Sequence, residues 1–207
     1  MQNLLARRPE TPNSEAGPAI PSLLVATGRR EEAAELVDLA LQLFNEDDGV
    51  NIVIKYHPAY PLSEVGSLSN DQLPRHISVS ARPITELILE SSVMLYSSST
   101  VCVEAISLGV PAVHLRTQFD LDIDALGAVP QLRLEATGLD ELKEKTWWLI
   151  NNRAEYVAQH RESWDSFIND MYSPVSEDTY RAFLGLAQDA TPDAESSTSG
   201  QPATAQD

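Results

Sequence analysis

The chain has 207 residues and a formal net charge of −17, from 31 acidic against 14 basic side chains. That balance excludes the clustered Lys and Arg surface needed to displace counterions from nucleic acid. It also leaves any phosphate group to local dipoles and a few placed cations. With 43% hydrophobic residues there is enough apolar material for one well-buried core.

Cys102 is the only cysteine, which rules out an intramolecular disulfide and a cysteine-rich zinc site. Met1 to Pro21 carries Arg7 and Arg8 but no apolar stretch of the signal-peptide kind. No apolar run reaches the length of a transmembrane segment. The expectation is a soluble, cytoplasmic protein. Residues 1–20 read as a flexible N-terminal segment, 21–187 as the domain, and 188–207, rich in Ala, Ser, Thr, Pro, Asp and Gln, as a disordered tail. No internal repeat is visible.

Within the domain, strands and helices alternate. Ser22–Ala26 is a short apolar strand closed by Thr27 and Gly28. Glu31 to Phe44 places Ala33, Leu36, Val37, Ala40, Leu41, Leu43 and Phe44 on a helical stripe that ends at Asp47-Asp48-Gly49. Asn51 to Tyr56 is a β-branched strand stopped by His57 and Pro58, and His76 to Val79 is a shorter one. Pro83 opens a helix through Glu90, and Val93–Tyr96 is the next strand. Ser99 or Thr100 can cap a helix running to Leu108, with Gly109 at its C-terminal end. Pro111 to Leu115 is a fifth strand, and Gln131 to Leu134 is read as a further one. Leu139 to Asn151 and Ala154 to Met171 are two helices carrying Trp147, Trp148 and Trp164, expected to cover a sheet edge or meet a neighbour. This alternation, with strands apolar on both faces, gives an α/β class: a Rossmann-like parallel sheet with helices on both faces, followed by C-terminal helices.

Open parallel sheets bind ligands beyond the carboxyl ends of their strands, near the switch point. The unusual polar residues fall there. They are Thr27, Gly28 and Arg29 after the first strand, and Lys55, His57 and Pro58 at the second. Ser97, Ser98, Ser99 and Thr100 follow the fourth, and Arg116, Gln118 and Asp120 the fifth. The Ser-rich run precedes a helix, whose free N–H groups and dipole, with small hydroxyls, suit a phosphate; ordinary N-capping is the plainer reading. Glu104 is one position beyond capping-box spacing from Thr100, and can accept from a ribose diol or stand as a solvated helix residue. His57 can contact a base or phosphate, donate a proton to a leaving group, or be structural. Lys55, two residues away, shares its face if the strand is regular. Lys55 and Arg29 read as phosphate cations or as ordinary edge charges.

Other chemistries are excluded or unsupported. Phe119 to Asp124 resembles an EF-hand start, but that motif needs Gly at 125 and Glu at 131, where Ala125 and Gln131 stand. A bare Asp-x-Asp could hold a magnesium-bound diphosphate, though solvated loop acids are commoner. His76, His114 and His160 lack ligand spacing, so no metal or other cofactor is expected. Gly-x-Gly-x-x-Gly, P-loop and Gly-x-Ser-x-Gly patterns are missing from the sequence.

The run Ser97-Ser-Ser-Thr-Val-Cys-Val-Glu-Ala-Ile-Ser-Leu-Gly-Val-Pro-Ala-Val113 resembles the donor-site element of GT-B glycosyltransferases: small residues, Glu-Ala, then Gly-x-Pro before an apolar strand. Combined with Lys55-Tyr-His57-Pro58, it is similar to bacterial surface-polysaccharide transferases with an HP motif and a serine motif. These include sialyltransferases, capsular Kdo and polysialic acid transferases, and CDP-glycerol glycerophosphotransferases. Over residues 22–135 the resemblance implies a single GT-B half that binds a nucleotide-sugar donor, CMP- or CDP-linked. His57 and Ser97 to Thr100 would hold the nucleotide phosphate, Glu104 the ribose, and His57 would be the catalytic candidate. Such enzymes also need an acceptor-binding domain. About twenty residues precede the first strand here, so the chain reads as a fragment, a split subunit or a degenerate protein. The alternatives are a fragment like UDP-GlcNAc 2-epimerase, which shares the fold, and a non-catalytic nucleotide-binding or scaffold module that uses the terminal helices as an interface.

Overall fold

Four short apolar or β-branched runs become the inner strands of one parallel sheet, three of them buried on both faces along nearly their whole length. The strands are β1 (Ser22–Ala26), β2 (Asn51–Lys55), β3 (Ile77–Val79), β4 (Val93–Tyr96), β5 (Ala112–Leu115) and β6 (Leu134–Ala136). They pair in the order β3-β2-β1-β4-β5-β6, every neighbouring pair parallel. All residues of β4 and β5, and Leu23 to Ala26 of β1, are buried. That pattern requires cover on both faces. The cover comes from α1 (Arg30–Leu43), α2 (Ile84–Leu89), α3 (Val101–Ser107) and α4 (Leu139–Met171). The structure, a computed structural model, describes residues 20–60, 73–118 and 123–172, with 176, 180, 181, 183 and 184 beyond them. The expected linker (1–19) and tail (188–207), and Asp120 of the expected site, lie outside the described residues. The chain divides into two units, Met1–Tyr172 and Ser173–Asp207; the sheet and all four helices belong to the first.

Register fixes where the loops emerge. Ala26 pairs with Lys55 on one side and with Tyr96 on the other. The carboxyl ends of β1, β2 and β4 are therefore level, and the segments after them leave the sheet side by side. The chain runs outward from β1 through β2 to β3, then returns to place β4 on the other flank of β1. The reversal of strand order lies between β1 and β4, the place where such sheets take ligands.

One expectation is corrected. The last strand is not Gln131 to Leu134: Pro130–Leu132 is a 3-10 turn, and β6 begins at Leu134. Pro130, with fixed φ and no N–H, suits the first position of that turn and delays the strand. The two expected C-terminal helices are present, joined in α4 across a kink at Asn152, where the backbone leaves helical geometry (φ −119°, ψ 21°). The side-chain amides of Asn151 and Asn152 donate to the carbonyls of Trp147 and Trp148 at 2.7 and 2.8 Å, competing with the helix ladder at the kink. Beyond it, buried Arg153 donates to the carbonyls of Ser92 and Gly109, both at 3.2 Å, which ties α4 beneath the starts of β4 and β5. Trp164 is fully buried and donates its indole N–H to the Leu132 carbonyl at 3.0 Å, while Trp147 and Trp148 stay half-exposed. Gly109, with φ +78°, ends α3 in the left-handed region that Gly adopts without strain.

The core makes the fold sensitive to alkali. Burial pushes the Cys102 thiol up to about 12 from 9.0 and the Tyr156 phenol up to about 12 from 10.0, and raises Tyr96 further. The unfolded chain releases these protons near the ordinary values while the folded chain keeps them. Stability is therefore fully present below pH 9 and is lost as pH rises through the window from 9 to 12. By roughly pH 10.5, Cys102 alone is expected to cost about 2 kcal/mol. Urea midpoints at pH 8 and pH 10.5 check this; equal midpoints would contradict it.

Candidate functional site

The level strand ends set the segments after β1, β2 and β4 side by side, with contacts among Thr27, Gly28, Lys55, His57 and Ser98. Thr27 is buried; its backbone N–H donates to the Lys55 carbonyl at 3.0 Å, and its hydroxyl accepts from the His57 N–H at 3.2 Å. The segments after β1 and β2 are thus tied together. The exposed His57 ring accepts at Nδ1 from the Ala59 N–H at 3.2 Å, so the neutral ring carries its proton on Nε2. Its ring centre lies 5.7 Å from that of Tyr60. Lys55 is half-buried at the end of β2, Pro58 is exposed beside His57, and half-buried Arg29 is the N-cap residue of α1.

Across the switch point, Gly28 and Ser98 bring the first and fourth loops into contact. A Cβ at Gly28 would overlap the Ser98 carbonyl oxygen, lie 2.7 Å from its carbonyl carbon and 2.9 Å from its Oγ. Only a residue without a side chain permits this approach. Ser97 and Ser99 are buried, Ser98 half-buried and Thr100 exposed. The expected cap is weaker than the sequence suggests. Thr100 occupies the N-cap position without a side-chain cap, and Ser99 Oγ accepts from the Val101 N–H at 3.4 Å. Since α3 has only seven residues, the loop offers N–H groups and hydroxyls more than a helix dipole.

Glu104 lies in the first turn of α3, and its carboxylate accepts from the Thr85 hydroxyl at 2.5 Å. That bond leaves acceptor capacity on the carboxylate. On the far flank Arg116 is exposed, its guanidinium 3.8 Å from Glu135, and Gln118 is exposed. The side chain of Asp124, a residue of the acidic Phe119 to Asp124 run, is fully buried. It accepts from the Tyr96 hydroxyl at 2.7 Å, from Arg133 Nε at 2.5 Å and from the Leu126 N–H at 2.9 Å. Arg133 also reaches Glu135 at 2.9 Å, and His114 Nδ1 lies 3.4 Å from the same carboxylate. This cluster braces the β5–β6 connection.

Glu32 escaped the sequence reading. It is 3% exposed, in the first turn of α1, and its carboxylate accepts a hydrogen bond from the Ser98 hydroxyl. The signal was its position, four residues before Leu36 and eight before Ala40, both fully buried, so that it heads the core stripe of the helix. A separate groove of about 400 Å³, lined in part by Ser22, Asn51, Arg75, His76 and Ser78, opens at the other end of β1 to β3.

By sequence the chain matches no protein-family model and no curated protein. By structure it is similar to the spinosyn rhamnosyltransferase SpnG, with a TM-score of 0.58 and 16% identity over 82% of this chain and 46% of that one. It is also similar to the glycotransferase of kitacinnamycin (TM-score 0.53, 16% identity, 75% of this chain and 43% of that one) and to TarM (0.51, 14%, 82% and 36%). The chain spans less than half the length of each. At these identities the likeness is one of fold: a Rossmann-like α/β domain of the kind found in glycosyltransferases. No helix among the described residues is long and apolar enough to cross a membrane.

Proposed function

We propose that this domain binds the nucleotide of a CMP- or CDP-linked sugar and serves as the donor half of a glycosyltransferase of surface polysaccharide or glycan synthesis. The observation that carries the reading is the contact of Gly28 with Ser98 at the switch point, which joins the first and fourth loops beside His57. The shared fold supports it, as does the motif pair from His57-Pro58 to Ser97–Thr100. Backbone N–H groups of the serine loop, with the hydroxyls of Ser99 and Thr100, hold the phosphate; Arg29 and Lys55 supply positive charge. Glu104 accepts from the ribose. The reaction is displacement at the anomeric carbon, with the charge on the departing phosphate stabilised by fixed donors. His57, protonated at Nε2, donates to that phosphate. No metal or other cofactor enters this scheme, and the acceptor comes with a separate domain or subunit.

The test is isothermal titration of the chain with CMP, CDP, UDP and GDP, repeated on His57→Ala and on a Ser99→Ala/Thr100→Ala double variant. Cytidine nucleotides are expected to bind selectively, and each variant to weaken them by about tenfold or more, as for loss of charge-assisted hydrogen bonds. Preference for UDP with the same residue dependence would favour an epimerase-like site. Absence of binding by the folded chain would reduce it to a scaffold module.

A further inference from the structure

A phosphate-binding crevice gains from every donor aimed into it, yet one here is turned the other way. A serine hydroxyl has a single hydrogen to donate, and Ser98 donates it in a hydrogen bond to Glu32. Ser98 therefore presents only lone pairs to the crevice, and an ionised phosphate, which also only accepts, gains nothing from it. Glu32, whose carboxylate accepts that bond, is 3% exposed. It stands in the first turn of the 14-residue helix α1, where a helix otherwise offers its positive end to an anion. Glu32 follows Gly28 by four residues, and both meet Ser98, Gly28 at its backbone and Glu32 at its hydroxyl. Arg29, the N-cap residue of α1, and Lys55, the last residue of β2, are the cations near Thr27, and each further phosphate on a ligand adds charge that the Glu32 carboxylate opposes.

We propose that Glu32, acting through Ser98, is the specificity-determining residue of the crevice, selecting ligands with a single phosphate and disfavouring each further one. The proposal rests on the nucleotide-binding reading above and adds a charge limit to it. Glu32 is a positioning residue, touching the ligand through Ser98 and through its field. A solely structural Glu32 would hold the loop for every ligand equally; a charge selector acts in proportion to ligand charge.

The experiment titrates the full chain and its Glu32→Gln variant with cytidine, CMP and CDP at low and moderate salt. Glutamine keeps the size and a hydrogen bond to Ser98 but removes the charge. Cytidine affinity is expected to stay within about twofold, CMP to tighten by about threefold and CDP by about tenfold, with the gains shrinking as salt rises. Ser98→Ala supplies a second arm. It frees the carboxylate while leaving its charge, so the preference for CMP over CDP should persist. Equal weakening of all three ligands by Glu32→Gln, or an unchanged ratio of CDP to cytidine affinity, overturns the charge limit and leaves the crevice reading standing. Failure of all three ligands to bind either protein overturns both.

Discussion

Replacing Arg133 with Met is expected to cost about 3–5 kcal/mol, because it strands a buried carboxylate without its cation. The Asp124 side chain is fully buried, Arg133 is 4% exposed, and Nε donates to Oδ2 at 2.5 Å. Desolvation opposes the Arg133 charge, while Asp124, with smaller help from Glu135, more than offsets it and raises the guanidinium above its ordinary value. Adding Asp124→Asn to the Arg133→Met background removes the stranded charge and keeps an acceptor for Tyr96 and the Leu126 N–H. The double variant should recover about half of the loss, the non-additivity expected of contacting groups. Chemical denaturation reads both. A single-variant cost below about 1 kcal/mol would mean that the cluster is not the brace of the β5–β6 connection.

The second large effect is at Gly28. A methyl group there meets the backbone of Ser98, which no side-chain rotation can relieve, so Gly28→Ala must push the first and fourth loops apart. The expected cost is about 2–4 kcal/mol of stability, with loss of cytidine-nucleotide binding. Gly138, extended and with nothing within 4 Å of an added Cβ, is the control: Gly138→Ala should change neither property. Thermal melts and titrations of the two variants separate loop contact from glycine content. Full ligand affinity in Gly28→Ala would show that the loop contact is not needed.

Much of the fold is legible in the sequence because the relevant signal is local. The runs at Ser22, Asn51, Val93 and Ala112 are short, apolar or β-branched, and bounded by turn residues, and each becomes a strand within a residue or two of the expected ends. The kink at Asn152 falls in the gap left between the two expected helices. Strand β6 is placed three residues too early because Arg133 and Glu135 interrupt its apolar pattern; Arg133 answers to Asp124, nine residues earlier, and Glu135 to Arg133. Strand order is not local information either. In the site, the loops are readable from where strands stop, since the parallel register of β1 with β2 and β4 brings those stops together. What Gly28 and Glu32 do is not readable, because both depend on Ser98, about seventy residues away, and a contact over that span leaves no trace in composition or period.

The measurement that bears most directly on the central claim is amide chemical-shift mapping of the labelled chain titrated with CMP. The expected result is shifts concentrated at Thr27, Gly28, His57 and Ser97 to Thr100, with the groove at Asn51, Arg75 and His76 silent. Shifts confined to that groove, or none at the crevice under saturating CMP, would contradict a nucleotide site at the β1–β4 switch point.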